Sequence, residues 1–272
     1  MSKHILKTAF SDFKEWYIIG RHKPKTGYIY GYVACTGQPF GSGKTLSCIV
    51  ALSQICDKYN SKHFGKYTIH INILSNIPLN FSNCSEFKEI TSIDDISAFL
   101  DEKKSKMSVE PYALEYTYIL LDEIGSEFNS RSFMKNFSSD FLTKLVTVRH
   151  YNCSIFWTAQ NFDMPDVIFR RLTTKVFVCK HKWRFYTNLE YSPSDFENYS
   201  DVLKLRPFSK FRFFASAYYF DMYDSFASFQ NIKDKSLRED YKALSYAPAQ
   251  PSFSFSSDRV KKRDKKKLVV RL

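Results

Sequence analysis

Long uncharged apolar runs are missing from this 272-residue chain. The nearest candidate, Phe213 to Phe229, is short and is broken by Asp221 and Asp224, well under the roughly 20 apolar residues that a membrane-spanning helix needs. Met1 to Phe10 carries Lys3 and Lys7 but no apolar core segment, which excludes an ordinary secretory signal. The six cysteines, at positions 35, 48, 56, 84, 153 and 179, never form Cys-x-x-Cys and have no histidine at finger spacing. That excludes a zinc module, and most of them lie in apolar stretches where a reduced cysteine acts as a small hydrophobe. Acidic residues are scarce as well: 28 Asp and Glu face 40 Lys and Arg, a net charge of +12. Together these features lead us to expect a soluble, cytoplasmic chain with no transmembrane segment of its own. Its basic balance suits nucleic acid or an anionic surface.

What is present is enough for a sizeable core: 44% of residues are hydrophobic and 17% aromatic, and the length suits one large α/β domain with appendages. Much of the positive excess is local, in the run from Arg259 to Lys267. The expected organisation is a leader over residues 1–27 and a main domain over 28–235, with its core at 28–180 and a β extension at 181–235. A linker and a basic, disordered tail follow over 236–272.

Tyr28 to Cys35 is apolar and aromatic, a strand that runs into Thr36-Gly37-Gln38-Pro39-Phe40-Gly41-Ser42-Gly43-Lys44-Thr45. A helical pattern, Leu46 to Tyr59, follows with Leu46, Ile49, Val50, Leu52 and Ile55 on buried faces. Strand, glycine loop, Lys-Thr and helix are the parts of a phosphate cradle. The backbone N–H groups of Gly37, Gly41, Ser42, Gly43, Lys44, Thr45 and Leu46 can point at phosphate oxygens, aided by the helix N-terminus. Lys44 reaches the β/γ-phosphates and the Thr45 hydroxyl holds Mg²⁺. The spacing departs from Gly-x4-Gly-Lys-Thr, because Gln38 stands where the first glycine belongs and Gly37 lies one residue early. A plain flexible Gly/Ser loop is the bland alternative.

Tyr67 to Leu74 reads as a second strand ended by Ser75-Asn76-Ile77-Pro78, giving a βαβ unit and hence a parallel sheet. Phe81 to Ile90 reads as irregular, Ile93 to Leu100 as a short helix capped by Ser92, and Asp101 to Pro111 as a charged surface loop. Tyr116-Thr-Tyr-Ile-Leu-Leu121 is a continuous apolar run, as a strand buried on both faces requires, and it delivers Asp122 and Glu123 at its C-terminal end. Asp122 is the expected Mg²⁺ ligand and Glu123 the base that activates water. Ser138 to His150 reads as one helix with Ser138 or Ser139 as its cap. Ser154 to Ala159 is a strand tipped by Gln160, placed to sense a γ-phosphate or the attacking water, or simply a turn residue. Pro165 opens a short helix holding Arg170 and Arg171, and Thr174 to Lys180 is another strand. Trp183 to Tyr191 and Phe211 to Tyr223 read as aromatic strands forming a hairpin that extends the sheet. Ring-shaped NTPases take an arginine from the neighbouring subunit. Arg131, Arg149, Arg170 and Arg171 are candidates, and each also reads as a solvated or phosphate-contacting arginine.

Gly37-x-Pro39-x-Gly41-Ser-Gly43-Lys44-Thr45-Leu46, Ser75-Asn76-Ile77, Leu-Leu-Asp122-Glu123-Ile-Gly-x-x-Phe128-x-x-Arg131, and Arg149-His150 ahead of Phe156-Trp-Thr-Ala-Gln160 together resemble the ATPase domain of the zonular occludens toxin-like (Zot-like) proteins. That group includes the filamentous-phage assembly ATPases, within the FtsK–HerA class of P-loop motors. The resemblance covers roughly Tyr28 to Lys180. It implies a RecA-like P-loop core and a mostly parallel sheet flanked by helices. It also implies ATP and Mg²⁺, a homo-oligomeric ring (a hexamer), and work on phage or plasmid DNA in packaging, export or virion assembly. The phage assembly proteins continue into a transmembrane helix and an outer domain, and neither is found here; a peripheral place at the inner membrane through assembly partners fits the same plan. Two other readings stay open: a nucleotide-switched assembly factor that does not move DNA, and a small-molecule kinase. The kinase ranks lowest, because Arg170-Arg171 is the only adjacent arginine pair a lid could use.

Overall fold

A strand that is buried on both faces has to find a hydrogen-bonding neighbour on each edge, and β1 (Ile29–Ala34) does so with β6 (Cys153–Ala159) on one side and β7 (Lys175–Lys182) on the other, both parallel to it. The computed structural model describes residues 8–13, 17, 23–35, 41–64, 66–90, 92–110, 112–124, 139–198 and 201–223. The expected linker and basic tail, the first part of the glycine loop (36–40), Arg131 and Ser138 lie outside them.

The remaining strands are β2 (His63–Phe64), β3 (Tyr67–Ser75), β4 (Glu86–Glu89), β5 (Ala113–Leu121), β8 (Phe185–Tyr191) and β9 (Ser209–Phe214). They form a nine-stranded sheet in the order β2-β3-β5-β6-β1-β7-β8-β9, with β4 also on β3. β4, β3, β5, β6, β1 and β7 run parallel; β2, β8 and β9 are antiparallel to their neighbours. The expected α/β class with a mostly parallel sheet is what the chain adopts. β6 has all seven residues buried and β5 its last seven, as central parallel strands covered on both faces require.

Helices cover both faces. α1 (Lys44–Tyr59) buries Cys48, Ile49, Leu52 and Cys56 against Tyr32, Ile71, Tyr118 and Phe156 on one side. α2 (Ile93–Val109) and α3 (Ser139–Val146) bury Phe99, Leu100, Phe141 and Leu145 against Ile119, Ile155 and Trp157 on the other. The short helices α4 (Val167–Leu172), α5 (Pro193–Asn198) and α6 (Ala217–Phe220) lie in the connections around the later strands. All six cysteines are free thiols, and Cys48, Cys56, Cys153 and Cys179 are buried.

Several local expectations need correcting. The charged stretch after Leu100 is not a loop: α2 continues to Val109 behind a capping box in which the Ser92 hydroxyl accepts from Asp95 N–H and the Asp95 carboxylate accepts from Ser92 N–H. Its charges are partnered and not merely solvated, since Lys103 bonds Glu86, Lys106 lies 2.9 Å from the buried Glu115, and Asp101 accepts from Lys144 at 2.6 Å. Phe81 to Ile90 is not irregular throughout, because Glu86–Glu89 pairs with β3 as a half-exposed edge strand. The helix expected to reach His150 stops at Val146, and a 3-10 turn, Val148–Tyr151, ending in left-handed Asn152 (φ 48°), redirects the chain into β6. The hairpin is β7–β8, turned at Trp183. β9 joins β8 only after a longer connection, and past Phe214 the chain becomes α6 instead of remaining a strand.

Candidate nucleotide site

Parallel strands carry ligands at their C-terminal ends, and the three central ones converge there. β1 leads to the glycine loop, β5 to Asp122-Glu123 and β6 to Gln160. β6 lies between β1 and β5, in register with both, so its tip sits between the loop and the carboxylates.

The described end of the loop is built by glycine conformation. Gly41 and Gly43 have φ of +67° and +85°, a region that side chains rarely adopt. Gly43 caps α1, whose first turn holds no acidic residue of its own. A Cβ on Gly43 would lie 2.2 Å from Cε1 of Tyr186, so the loop passes directly beneath that ring. Tyr186 is itself stacked on His181 and Phe213. Ser47 donates to Asn188 at 2.9 Å in the interior, tying the first turns of α1 to β8. The Leu46 side chain is buried in a cluster with Val50, Tyr186 and Ala215, which leaves only its backbone N–H for a ligand.

At the strand tips the side chains form two hydrogen-bonded groups that meet at Thr158, whose hydroxyl accepts from Glu123 N–H. Lys44, 6% exposed, donates from Nζ to Gln160 Oε1 at 3.0 Å and lies 3.4 Å from Glu123 Oε1. Gln160 Nε2 in turn donates to both Glu123 oxygens, at 3.0 and 3.2 Å. The Thr45 hydroxyl donates to Asp122 Oδ1 at 2.7 Å, and the buried Thr158 hydroxyl donates to the same oxygen at 2.8 Å.

Consecutive residues of a strand point to opposite faces, yet Asp122 and Glu123 share this pocket because the strand has ended. Glu123 takes φ +50°, a conformation that costs a non-glycine residue roughly 1–3 kcal/mol and is held by its surroundings. Its N–H donates to Thr158 Oγ1 at 2.8 Å. Asn76, just past β3, accepts from Asp122 N–H at 2.7 Å and donates to Asp122 O at 3.0 Å. Burial pushes the Asp122 carboxyl up from its ordinary range, and the neighbouring Glu123 charge adds to this. The hydroxyls of Thr45 and Thr158 and the Lys44 ammonium pull it back only in part.

The residues fit a magnesium–nucleotide polyphosphate. Ser42 Oγ is buried with no hydrogen-bond partner among the described residues, an orphan donor in the loop itself. A threonine hydroxyl and a carboxylate 2.7 Å apart are hard oxygen donors of the kind Mg²⁺ selects. A nearly buried ammonium stands beside them.

The structure therefore brings Lys44, Thr45, Asp122, Glu123 and Gln160 together, with Gly41, Ser42 and Gly43 beside them. Of the candidate arginines that are described, none bonds to this cluster. Arg149 is exposed in the 3-10 turn before β6, at the opposite rim of the sheet, about 20 Å away by the rise of a seven-residue strand. Its side-chain carbons lie over Gly27. Arg170 lies 3.4 Å from Asp163, and Arg171 is exposed in the last turn of α4. Asn76 and Thr158 stand inside motifs quoted above but are given no role by the sequence, and neither is Tyr186. The one available signal was polarity out of place: a threonine inside Ile-Phe-Trp-Thr-Ala, and an asparagine where β3 ends.

No protein-family model and no curated protein matches this chain. Among solved structures it is similar to the N-terminal domain of zonular occludens toxin from Neisseria meningitidis, at 16% identity and a TM-score of 0.47, over 74% of this chain and 100% of that one. It is also similar to the genome packaging NTPase B204 from Sulfolobus turreted icosahedral virus 2 in complex with ATP-gammaS, at 12% identity and TM-score 0.39, over 62% and 93% of the two chains. A third similarity is to EssC (ATPases 2 and 3) from Geobacillus thermodenitrificans, at 12% identity and TM-score 0.38, where 65% of this chain matches 42% of that one. A zonular occludens toxin domain, of the group that the sequence motifs resemble, is among these similar structures.

Proposed function

We propose that this chain is a P-loop ATPase that hydrolyses Mg·ATP to ADP and phosphate. In this reading it works as a motor on viral (phage) or plasmid DNA during packaging, export or virion assembly. The observation that carries the reading is the pair of bonded groups at the strand tips, Lys44 with Gln160 and Glu123, and Thr45 with Asp122, joined through Thr158.

In this reading the loop from Gly37 to Leu46 wraps the phosphates, and Lys44 exchanges its bonds to Gln160 and Glu123 for the β/γ-phosphate oxygens. Thr45 and Asp122 would hold Mg²⁺, which when bound neutralises phosphate charge. Glu123 is released from Lys44 and takes a proton from the attacking water, while Gln160 holds that water in line. Thr158 and Asn76 fix the two carboxylates. An arginine from a neighbouring subunit completes the charge stabilisation in a homo-oligomeric ring, with a hexamer as the working model. The exposed Arg149 and Arg171 are available for that role, Arg170 only by leaving Asp163, and Arg131 lies outside the described residues. No described helix is long and apolar enough to cross a membrane, and we place the chain in the cytoplasm, at the membrane only through partners.

Phosphate release measured with and without DNA tests both halves of the reading. We expect turnover that rises on adding DNA and is lost in Lys44→Ala and Glu123→Gln. Turnover that ignores DNA would remove the motor and leave a nucleotide-switched assembly factor. Turnover that survives both substitutions would remove the site.

A further inference from the structure

The antiparallel ribbon β7–β8–β9 packs one face against α1 and the phosphate loop; the opposite face is buried at Val176, Val178, Leu189 and Tyr191, and beyond them its exposed outer part carries an unusual set of side chains. Register places Lys182, Phe185 and Phe214 abreast in one row, and Lys180, Thr187 and Arg212 in the next. Lys210 stands opposite Leu189 one row further. Trp183, at the turn with φ +56°, closes on the first row: its ring centroid lies 5.9 Å from both Phe185 and Phe214, which are 5.3 Å from each other.

These rings do not pack into the core. Trp183 is 71% exposed, Phe185 58% and Phe214 45%. Lys180, Lys182, Lys210 and Arg212 are exposed too, and none of the four forms an ion pair among the described residues. The acid nearest in sequence, Glu190, belongs to the other face, where Lys175 and Ser209 hold it.

We propose that this outer face is a stacking platform for unpaired bases, a binding site for single-stranded nucleic acid. Exposed rings offer π-faces to bases of any identity, and cations one or two strand spacings away meet the phosphates between them. The alternation sets a scale: like-facing residues repeat about every 7 Å along a strand and about 5 Å across strands. A duplex keeps its bases stacked inside and offers nothing to the rings. Four cations without a carboxylate select a polyanion over an apolar protein surface, and Lys182 stands level with the rings instead of behind them. The inference deepens the proposed DNA reading by naming strandedness and locus, but uses none of the nucleotide-site residues. The adjacent row, His181, Tyr186 and Phe213, faces the reverse side and carries Tyr186 over Gly43, so the platform is one strand's thickness from the phosphate loop.

The test is fluorescence anisotropy with the full chain, using a labelled oligo(dT) 20-mer, the corresponding duplex, and vesicles containing phosphatidylserine. We expect oligo(dT) to bind more tightly than duplex without nucleotide. Trp183→Ala with Phe185→Ala should weaken oligo(dT) at least fivefold, and Trp183→Phe should retain binding because it keeps a ring. Lys182→Gln with Arg212→Gln should lower the slope of log K against log salt by about 1.4. Lys44→Ala should bind oligo(dT) like the unaltered chain; oligo(dT) binding by an unaltered chain that turns over no ATP would separate failure of the nucleotide reading from failure of this one. The substituted platform side chains, Trp183, Phe185, Lys182 and Arg212, are exposed, and an unchanged unfolding temperature confirms folding. Equal oligo(dT) binding by the Trp183→Ala/Phe185→Ala variant would overturn the proposal. So would preference for duplex, or ring-dependent binding to vesicles alone.

Discussion

Asp122→Asn should separate stability from activity, moving them in opposite directions. The carboxylate is 7% exposed and accepts two hydroxyl hydrogen bonds on one oxygen, from Thr45 at 2.7 Å and Thr158 at 2.8 Å. An asparagine oxygen can accept both, but a bond to a charged group is worth about 1 kcal/mol more than one to a neutral group, so roughly 2 kcal/mol is lost. Against this stands the effective desolvation penalty of a buried ion, several kcal/mol, and burial is the dominant influence on this carboxyl. The balance is a gain of about 1–3 kcal/mol at pH 7 in the ligand-free protein. The sign of the pH dependence follows from the raised folded-state pKa. Between the unfolded value, about 3.9, and the folded one, the native state binds more protons. Asp122 therefore makes stability fall as pH rises through that window, and the penalty stays in full above it. Urea unfolding of the unaltered chain and Asp122→Asn from pH 4 to 8, beside ATP hydrolysis, reads both effects. We expect the variant to be at least as stable at pH 7, with the falling slope reduced and turnover lost. A variant destabilised by more than about 1 kcal/mol at pH 7, or one that still turns over, would refute the reasoning.

Other residues give equally direct outcomes. Gly43→Ala sets a Cβ 2.2 Å from the Tyr186 ring at φ +85°; calorimetry should show at least tenfold weaker Mg·ATP binding, and adding Tyr186→Ala should restore it only in part because the backbone strain remains. Gly31→Ala puts a Cβ 2.4 Å from Cζ2 of the fully buried Trp157, so chemical denaturation should show a loss of about 1–3 kcal/mol from overpacking. The same substitution should cost measurably less in a Trp157→Phe background. Lys106→Met removes the cation 2.9 Å from Glu115, a residue 2% exposed, and should cost about 1–3 kcal/mol at neutral pH, with Glu115→Gln recovering part of it. The pairing with Lys106 and Asn72 holds the Glu115 carboxyl below its usual range despite burial. Its contribution should therefore be present above the unfolded carboxylate pKa and fade as pH falls through the folded one.

The elements that place the site were legible because each has one dominant local signal. A glycine-flanked Lys-Thr at a strand-to-helix junction, an apolar run ending in Asp-Glu and a strand tipped by Gln160 each announce an element and its direction. What the residues could not announce were contacts made across the sheet. Thr158 reads as one more β-branched strand residue until β6 lies beside β5 and its hydroxyl meets Asp122. Asn76 reads as a turn residue until it brackets the Asp122 backbone. Tyr186 reads as one aromatic among many until β8 places it over Gly43. Two of the misread stretches are completed by one contact. The charges of α2 beyond Leu100 read as a surface loop and β4 reads as irregular, whereas Lys103 and Glu86 pair with each other across the two elements. A charge pattern reads as loop or helix according to partners far away in sequence.

The most direct test of the central claim, that Lys44, Thr45, Asp122 and Glu123 form one Mg·ATP pocket, is titration calorimetry of the full chain with a non-hydrolysable ATP analogue, with and without Mg²⁺. Our account predicts binding that tightens with Mg²⁺, loses that Mg²⁺ dependence in Asp122→Asn, and falls at least tenfold in Lys44→Ala. Binding that is absent from the unaltered chain, or unchanged by both substitutions, would contradict it.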